Sequence, residues 1–289
     1  MDSGGDEYTS LVLDRHGYPH ISYYDHYPNS NLKYAYQGAS GWHIETVGGE
    51  VGEYISLALD EGGYPHISYY CQYYYDPNYH LKHAYQDAAG WHTETVDSGG
   101  RVGKRASLAL DGGGYPHISY YAYPPHSYPH LKYAYQDASG WHTETVDSPP
   151  CVDQDTSLAV DEDGHPHISY CAYEPDTYWD LKYAYQDASG WHIKTVDSEV
   201  NVGYDNSLAL DGDGYPHISY TGGGLKYAHQ DASGWHFENV DSGGAYNSLA
   251  LDRDGYPHIS YSSGGLKYAH HDGSGWHIET VDSEGSVGT

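Results

Sequence analysis

One unit, close to SLALDxxGYPHISYY…LKYAYQDASGWHxETVDS, is written six times along the 289 residues. The Asp of its first segment falls at Asp14, Asp60, Asp111, Asp161, Asp211 and Asp252, so the spacings are 46, 51, 50, 50 and 41 residues. A period of about 40–50 residues with strand-like content marks a radial or stacked repeat fold. The length alone would allow two domains. The repeat overrides that, because one array of units can use the whole chain.

The fifth copy shows what each unit contains. Ser207–Asp211 alternates, with Leu208 and Leu210 on one face; Gly212–Gly214 is turn material; Tyr215–Tyr220 follows. Gly222–Gly224 turns again, Leu225–Gln230 alternates, Asp231–Gly234 turns, and Trp235–Val240 closes the unit. These are four short strands between Gly-rich turns, with no helical period. The Pro of each GYPH or GHPH segment opens its strand, where a missing N–H is tolerated. With the strands labelled a (SLALD), b (PHISYY), c (LKYAYQ) and d (WHxETV), the expected fold is all-β: a six-bladed β-propeller with four antiparallel strands per blade and strand a innermost. A parallel β-helix needs shorter rungs, and a barrel of twenty-four strands is too wide. One domain is expected over 1–289, with blades at about 1–47, 48–97, 98–147, 148–197, 198–241 and 242–289. The start, MDSGGDEYTSLVLD, matches Val240–Asp252, and the end, VDSEGSVGT, repeats the beginning of that joint. The ring is therefore expected to be cut in the d-to-a connection.

Hydrophobic content is 38%, with one Met and one Phe, so 36 Tyr and 7 Trp must supply the core. Such a core is aromatic and hydrogen-bonded. The net charge of −29 argues against nucleic acid and against anionic membrane surfaces, both of which need a basic face. No apolar run is long enough for a bilayer, and Met1 precedes polar residues, so neither membrane insertion nor a signal peptide is read. A mature secreted domain would look the same. The 22 His are expected to discharge much of the acidity in mild acid. Cys71, Cys151 and Cys171 are odd in number and lack metal-ligand spacing, so they read as repeat-position substitutions.

Strand alternation puts the a–b and c–d turns on one face and the b–c loops and d–a connections on the other. The first face is nearly constant; the second varies. The b–c segments are Asp25–Asn31, Cys71–His80, Ala122–His130 and Cys171–Asp180 in copies one to four, but only Thr221–Gly224 and Ser262–Gly265 in the last two. Loops on a rigid scaffold carry binding. The ligand-binding candidates are therefore Tyr27, Tyr74, Tyr75, Tyr79, Tyr123, His126, Tyr128, Tyr178 and Trp179. Their chemistry suits sugar rings or a protein surface.

The remaining constellations read as structural. His20, His66, His117, His167, His217 and His258 follow Pro, and His43, His92, His142, His192, His236 and His277 follow Trp. Neither set lies on the innermost strand, so neither converges on a metal, and buried polar partners are the expected use. The His-x-Glu of strand d reads as a charged edge that blocks aggregation. Cross-hairpin pairs are expected for Lys33 with Glu45, Lys82 with Glu94, Lys132 with Glu144, Lys226 with Glu238 and Lys267 with Glu279, while Lys182 and Lys194 break the pattern in copy four. Asp161 and Asp163, Asp211 and Asp213, and Asp252 and Asp254 hint at Ca²⁺ loops, but the EF-hand spacing is absent and an Asp capping its own turn explains them better. No cofactor is expected.

The DxxG turn resembles a relaxed Asp-box of sialidase-type propellers, one residue longer in spacing. The near-identical blades with repeated Trp and Gly resemble propeller lectins of the tachylectin and fucose-lectin kind, although the Arg and Glu of the fucose-lectin pattern are not repeated here. The resemblance implies a non-enzymatic, carbohydrate-binding propeller, multivalent through its repeats, in an extracellular or cell-surface setting. A glycan or protein surface is the expected partner. The other readings are a self-associating structural module and a polysaccharide lyase or hydrolase using Tyr, His and carboxylates on the same face.

Overall fold

The computed structural model describes residues 5–25, 30–49, 53–72, 79–149 and 151–283. Among these there are twenty-four strands and no helix. Internal contacts divide the chain into two units, Met1–Ser148 and Pro149–Thr289.

The first unit begins with the meander β1 (Gly5–Leu13), β2 (Pro19–Asp25), β3 (Asn31–Gly38) and β4 (Gly41–Gly49). The second meander is β5 (Glu53–Leu59), β6 (Pro65–Gln72), β7 (Tyr79–Asp87) and β8 (Gly90–Asp97), and the third is β9 (Arg101–Leu110), β10 (Pro116–Tyr123), β11 (His130–Asp137) and β12 (Gly140–Asp147). One parallel pair, Tyr79 opposite Arg101, joins the second and third. The second unit holds β13 (Cys151–Val160), β14 (Pro166–Glu174), β15 (Tyr178–Asp187) and β16 (Gly190–Asp197); then β17 (Tyr204–Leu210), β18 (Pro216–Thr221), β19 (Leu225–Asp231) and β20 (Gly234–Asp241); then β21 (Ala245–Leu251), β22 (Pro257–Ser262), β23 (Leu266–His271) and β24 (Trp276–Asp282). All six meanders pair antiparallel in the order expected from the repeat.

The turns follow from their side chains. Asp111 Oδ1 accepts the N–H groups of Gly113 and Tyr115, both at 2.8 Å, while Gly114 takes φ +79°. A carboxylate that holds two turn amides and a Gly in the left-handed region make a tight a–b hairpin. The Asp14, Asp161, Asp211 and Asp252 turns use the same carboxylate contacts. On the c–d hairpin, Asp137 Oδ1 accepts the Ser139 N–H and hydroxyl, and the His142 ring adds a third contact at 3.0 Å. Those donors, the Ser139 hydroxyl foremost, pull the Asp137 carboxyl down to about 2.

The core is the aromatic one expected from composition. Tyr120, Tyr121, Tyr133, Tyr170, Tyr220 and Tyr261 are buried. Five of the six post-Pro His are tied to it: the hydroxyls of Tyr34, Tyr133, Tyr183, Tyr227 and Tyr268 bond Nδ1 of His20, His117, His167, His217 and His258. With Tyr donating, the ring proton sits on Nε2, facing the turn Asp at 3.9 Å for Asp14, 3.7 Å for Asp111 and 3.4 Å for Asp161, Asp211 and Asp252. The second meander substitutes His83 for the tyrosine. Burial pulls the pKa of His20, His66, His117, His167 and His217 below the ordinary value, and the facing Asp offsets only part of it. Burial thus disfavours the charged form of these five rings, and they contribute less to discharge in mild acid than free histidines would.

Two contacts join successive meanders within a unit. The first Ser of SLALD accepts a backbone N–H from the next strand a: Ser10 from Leu57, Ser56 from Leu108, and Ser157 from Leu208 at 3.0 Å, and Ser207 from Leu249 at 3.1 Å. These strands share no ladder, so the hydroxyl satisfies an edge N–H that would otherwise be orphaned. The second contact uses the strand d Glu. Glu45 accepts from Trp91 and Gln86, Glu94 from Trp141 and Gln136, and Glu238 from Trp276. These glutamates are acceptors between successive meanders, which corrects their reading as an edge defence.

The Lys–Glu pairing is also corrected. Two-residue c–d turns set Tyr opposite Glu and Lys opposite the following residue: Lys33 faces Thr46, Lys82 faces Thr95, Lys132 faces Thr145, Lys226 faces Asn239 and Lys267 faces Thr280. A one-residue difference in register sends the side chain to the opposite sheet face. Lys132, Lys226 and Lys267 instead reach the Asp that ends strand d of the preceding meander, while Lys33 lies 3.9 Å from Asp25 and Lys82 donates to Thr95.

Candidate functional site

Tyr27, Tyr74 and Tyr75 lie outside the described residues. In the first unit, Tyr79 opens β7 and stacks on Tyr70 at 4.7 Å, with the Arg101 guanidinium 5.1 Å from its ring centre. Tyr123 ends β10 with the Lys104 ammonium 5.4 Å over its ring. His126 and Tyr128 are exposed in the b–c loop. In the second unit, the segment 171–180 is largely strand: Ala172 pairs with Asp180, Tyr173 with Trp179 and Glu174 with Tyr178. Alternating side chains let β14 and β15 run on beyond the shared core length. Tyr178 and Trp179 both pack edge-on against Tyr173, at 6.1 and 5.8 Å. Trp179 is thus committed to packing, while Tyr178 stays half exposed at 52%.

The Asp candidates for Ca²⁺ are spoken for by their own turns. Asp161, Asp211 and Asp252 spend Oδ1 on turn amides and aim Oδ2 at a histidine. Asp163, Asp213 and Asp254 contribute a backbone N–H to those same turns. A cleft of about 300 Å³ does lie beside Asp161, Asp163, Asp211 and Asp213. Among the described residues, no group of three or more His, Cys, Asp or Glu is arranged to hold a metal ion.

A different site emerges between the fourth and fifth meanders, on the face of the b–c loops and d–a connections. A cleft of about 460 Å³ is lined by Asp197, Glu199, Tyr220, Lys226, Phe237 and Asn239, with Glu238 at its wall. Asp197 ends β16 and accepts the Tyr220 hydroxyl at 2.7 Å and the Lys226 ammonium at 3.2 Å. Lys226 also pairs with Glu199. Burial lowers the lysine's pKa, but the Glu199 and Asp197 carboxylates outweigh it and hold Lys226 above its ordinary value. Burial, then the Asp197 charge, raises the Tyr220 phenol, so it stays a donor. Phe237 presents a ring 51% exposed. The site therefore combines an ammonium, three carboxylates, an amide and an aromatic face in one concave patch.

The same clamp recurs. Asp97 accepts from Tyr120 at 2.7 Å and Lys132 at 2.6 Å, and Asp241 from Tyr261 and Lys267, both at 2.8 Å. Burial raises the Asp241 pKa, but the Lys267 and Tyr261 donors outweigh it and bring it down to about 2. The first copy has Gly48 where the Asp stands, and Lys82 turns to Thr95 at 2.9 Å. The residues were present in the sequence: the Tyr of ISY and the Lys of LKY or LKH stand in all six copies, and the Asp of VDS in five. Assigning the Lys to Glu concealed the clamp. The short Gly222–Gly224 turn borders a further space of about 280 Å³ beside Asn239 and Asp241.

No family model matches the chain, and no curated protein does. Solved structures do. The chain is similar to AofleA from Arthrobotrys oligospora at 14% identity and TM-score 0.62, over 99% of this chain and 88% of that one. It is similar to the Aleuria aurantia lectin, solved with Fucα1-6GlcNAc, at 15% identity and TM-score 0.62, over 97% of both chains. The GH93 α-L-arabinofuranosidase of Fusarium graminearum, solved with arabinobiose, matches at 12% identity and TM-score 0.58, over 91% of this chain and 90% of that one. At such identities the likeness concerns the fold: all-β and propeller-like, of the architecture used by propeller lectins.

Proposed function

We propose that this chain is a six-bladed, non-enzymatic propeller that binds carbohydrate in the clefts between successive blades, on the face of the b–c loops and d–a connections. One observation carries the reading: the Asp–Tyr–Lys clamp recurs between meanders and opens, at Asp197 and Lys226, into a cleft with an exposed aromatic ring. Its volume of about 460 Å³ falls in the range of about 300–1,000 Å³ typical of ligand sites. Charged donors and acceptors bond vicinal hydroxyls, and Phe237 offers an apolar face for ring C–H groups. Six copies of the unit support the blade count, and the lectin likeness supports the ligand class. Weak sites repeated on one scaffold act together on a multivalent glycan surface. An extracellular or cell-surface setting goes with this reading.

A glycan array probed with the whole chain tests it. Binding to a defined set of glycans, weakened about tenfold in Lys226→Met, is the expected result. No binder at high protein concentration, or a Lys226→Met variant that binds as wild type, overturns it. The carboxylates Asp197, Glu199 and Glu238 gathered at one cleft favour a hydrolase as the second reading. That reading requires release of reducing ends from a bound polysaccharide, lost in Glu199→Gln.

A further inference from the structure

A cleft of about 400 Å³ lies between the first two a–b turns, lined by Leu13, Arg15 and His16 of one and Leu59, Asp60 and Glu61 of the other. The residue after the turn Asp differs among the copies: Arg15, Glu61, Gly112, Glu162, Gly212 and Arg253. This cleft therefore receives a guanidinium from one turn and a carboxylate at the same position of the next. The matching cleft between the fourth and fifth meanders is lined by Asp161, Glu162, Asp163, Asp211 and Asp213, with no cation.

The opposite charges do not neutralise each other. Arg15 spends only Nε, which donates to His16 Nε2 at 3.2 Å. Among the described residues its terminal nitrogens Nη1 and Nη2 have no partner, and the side chain is exposed, so the end of the guanidinium is open. Glu61 is exposed and forms no ion pair. Asp60 is the exception among the turn aspartates. Its Oδ1 accepts the Tyr64 N–H at 2.8 Å, as in the other turns. Asp14, Asp111, Asp161, Asp211 and Asp252 each also face the Nε2 of a post-Pro His within 3.9 Å. His66, joined to His83 at 3.1 Å, forms no such pair with Asp60.

An open guanidinium and two unpaired carboxylates lining one cleft are complementary to a ligand that carries both charges. A ligand carboxylate takes two parallel N–H bonds from Nη1 and Nη2, and a ligand ammonium donates to Asp60 and Glu61. Inside a cleft these contacts are stronger than in bulk water. Leu13, 59% exposed, and Leu59 add apolar surface.

We propose that this cleft binds a free α-amino acid with an aliphatic side chain. The carboxylate lies on Arg15, the ammonium on Asp60 and Glu61, and the side chain along Leu13 and Leu59. His16 holds the guanidinium through Nε and leaves its far end to the ligand. The site stands at the a–b turns of the first unit and is independent of the carbohydrate reading.

Titration calorimetry of the whole chain with L-leucine tests it, against three controls: leucinamide, N-acetyl-leucine and glycine. Each control lacks one of the three contacts and binds about tenfold more weakly than leucine. Arg15→Gln weakens leucine about tenfold and leaves leucinamide unchanged, because leucinamide has no carboxylate to lose. Glu61→Gln and Asp60→Asn each weaken leucine by about threefold and leave N-acetyl-leucine unchanged. Arg15 and Glu61 are exposed, and Asn keeps the Oδ1 that holds the Tyr64 N–H, so the three variants melt with the wild type. Lys226→Met leaves leucine binding intact. No heat of binding with leucine at about 10 mM, equal affinity for leucine and any one control, or an Arg15→Gln variant that binds leucine as wild type overturns the proposal. So does loss of leucine binding in Lys226→Met.

Discussion

The indole N–H of Trp141 donates to the Glu94 carboxylate at 2.8 Å, from the third meander back to the second. The corresponding position between the fourth and fifth meanders pairs Lys194 with Trp235, and there the indole N–H is buried without a partner. Lys194 lies instead 5.1 Å from the Tyr185 ring centre. One substitution has turned a satisfied joint into a polar orphan.

Lys194→Glu is expected to restore the joint. A hydrogen bond to a charged group contributes about 1.5–3 kcal/mol, and the lost cation–ring contact costs about 0.5–1 kcal/mol. A net gain of about 1 kcal/mol follows. Glu94→Ala, which strands Trp141 and Gln136 together, should cost about 2 kcal/mol. Urea titration of both variants checks this; a neutral Glu94→Ala means that the latch contributes nothing.

A second orphan has its remedy written elsewhere in the chain. Ser169 Oγ donates to Asn206 at 2.6 Å, and Ser219 to Asn247, each on the next meander. Ser22 and Ser68 occupy the matching positions with buried, unpartnered hydroxyls, because Ile55 and Ala106 stand where the Asn would be. Ala106→Asn is expected to stabilise the chain by about 1 kcal/mol. A melting temperature unchanged or lowered would show that the site cannot take the amide.

Acid should destabilise this fold early. His20, His66, His117, His167 and His217 have folded pKa values below the ordinary one, so the unfolded chain binds protons first as pH falls. Stability is complete above about pH 6.5 and is lost as pH drops below it, by at most about 1.4 kcal/mol per pH unit for each histidine. His83 is the extreme, pushed down to about 3 by burial and then by His66. His83→Tyr rebuilds the His–Tyr pair of the other meanders and should flatten the decline between pH 7 and pH 5. An unchanged slope in chemical denaturation would remove His83 from the account.

Equivalent leucines should differ in worth. Leu57 and Leu108 are both 7% exposed, whereas Leu11, at the same position of the first meander, is 62% exposed. Leu57→Ala should cost about 2–5 kcal/mol and Leu11→Ala no more than about 0.5 kcal/mol. A comparable loss at Leu11 would mean that this face is covered in solution.

By itself the sequence determined what local rules govern. The repeat set the meanders, alternation set the strands, and Asp with Gly set the turns, because a turn Asp such as Asp111 finds its amides within four residues. It also placed the post-Pro His inside, since nothing on the inner strand repeats them. The tertiary structure decided what depends on register and on neighbouring sheets. A single residue of offset moved Lys226 from Glu238 to Asp197 and made Glu94 a partner of Trp141, and sheet packing left an open space beside the short Gly222–Gly224 turn. These contacts join residues some 20–50 positions apart, each from a copy of the same unit. Identical copies cannot say in their own sequence which neighbour each side chain will meet; the packing of one sheet on the next does.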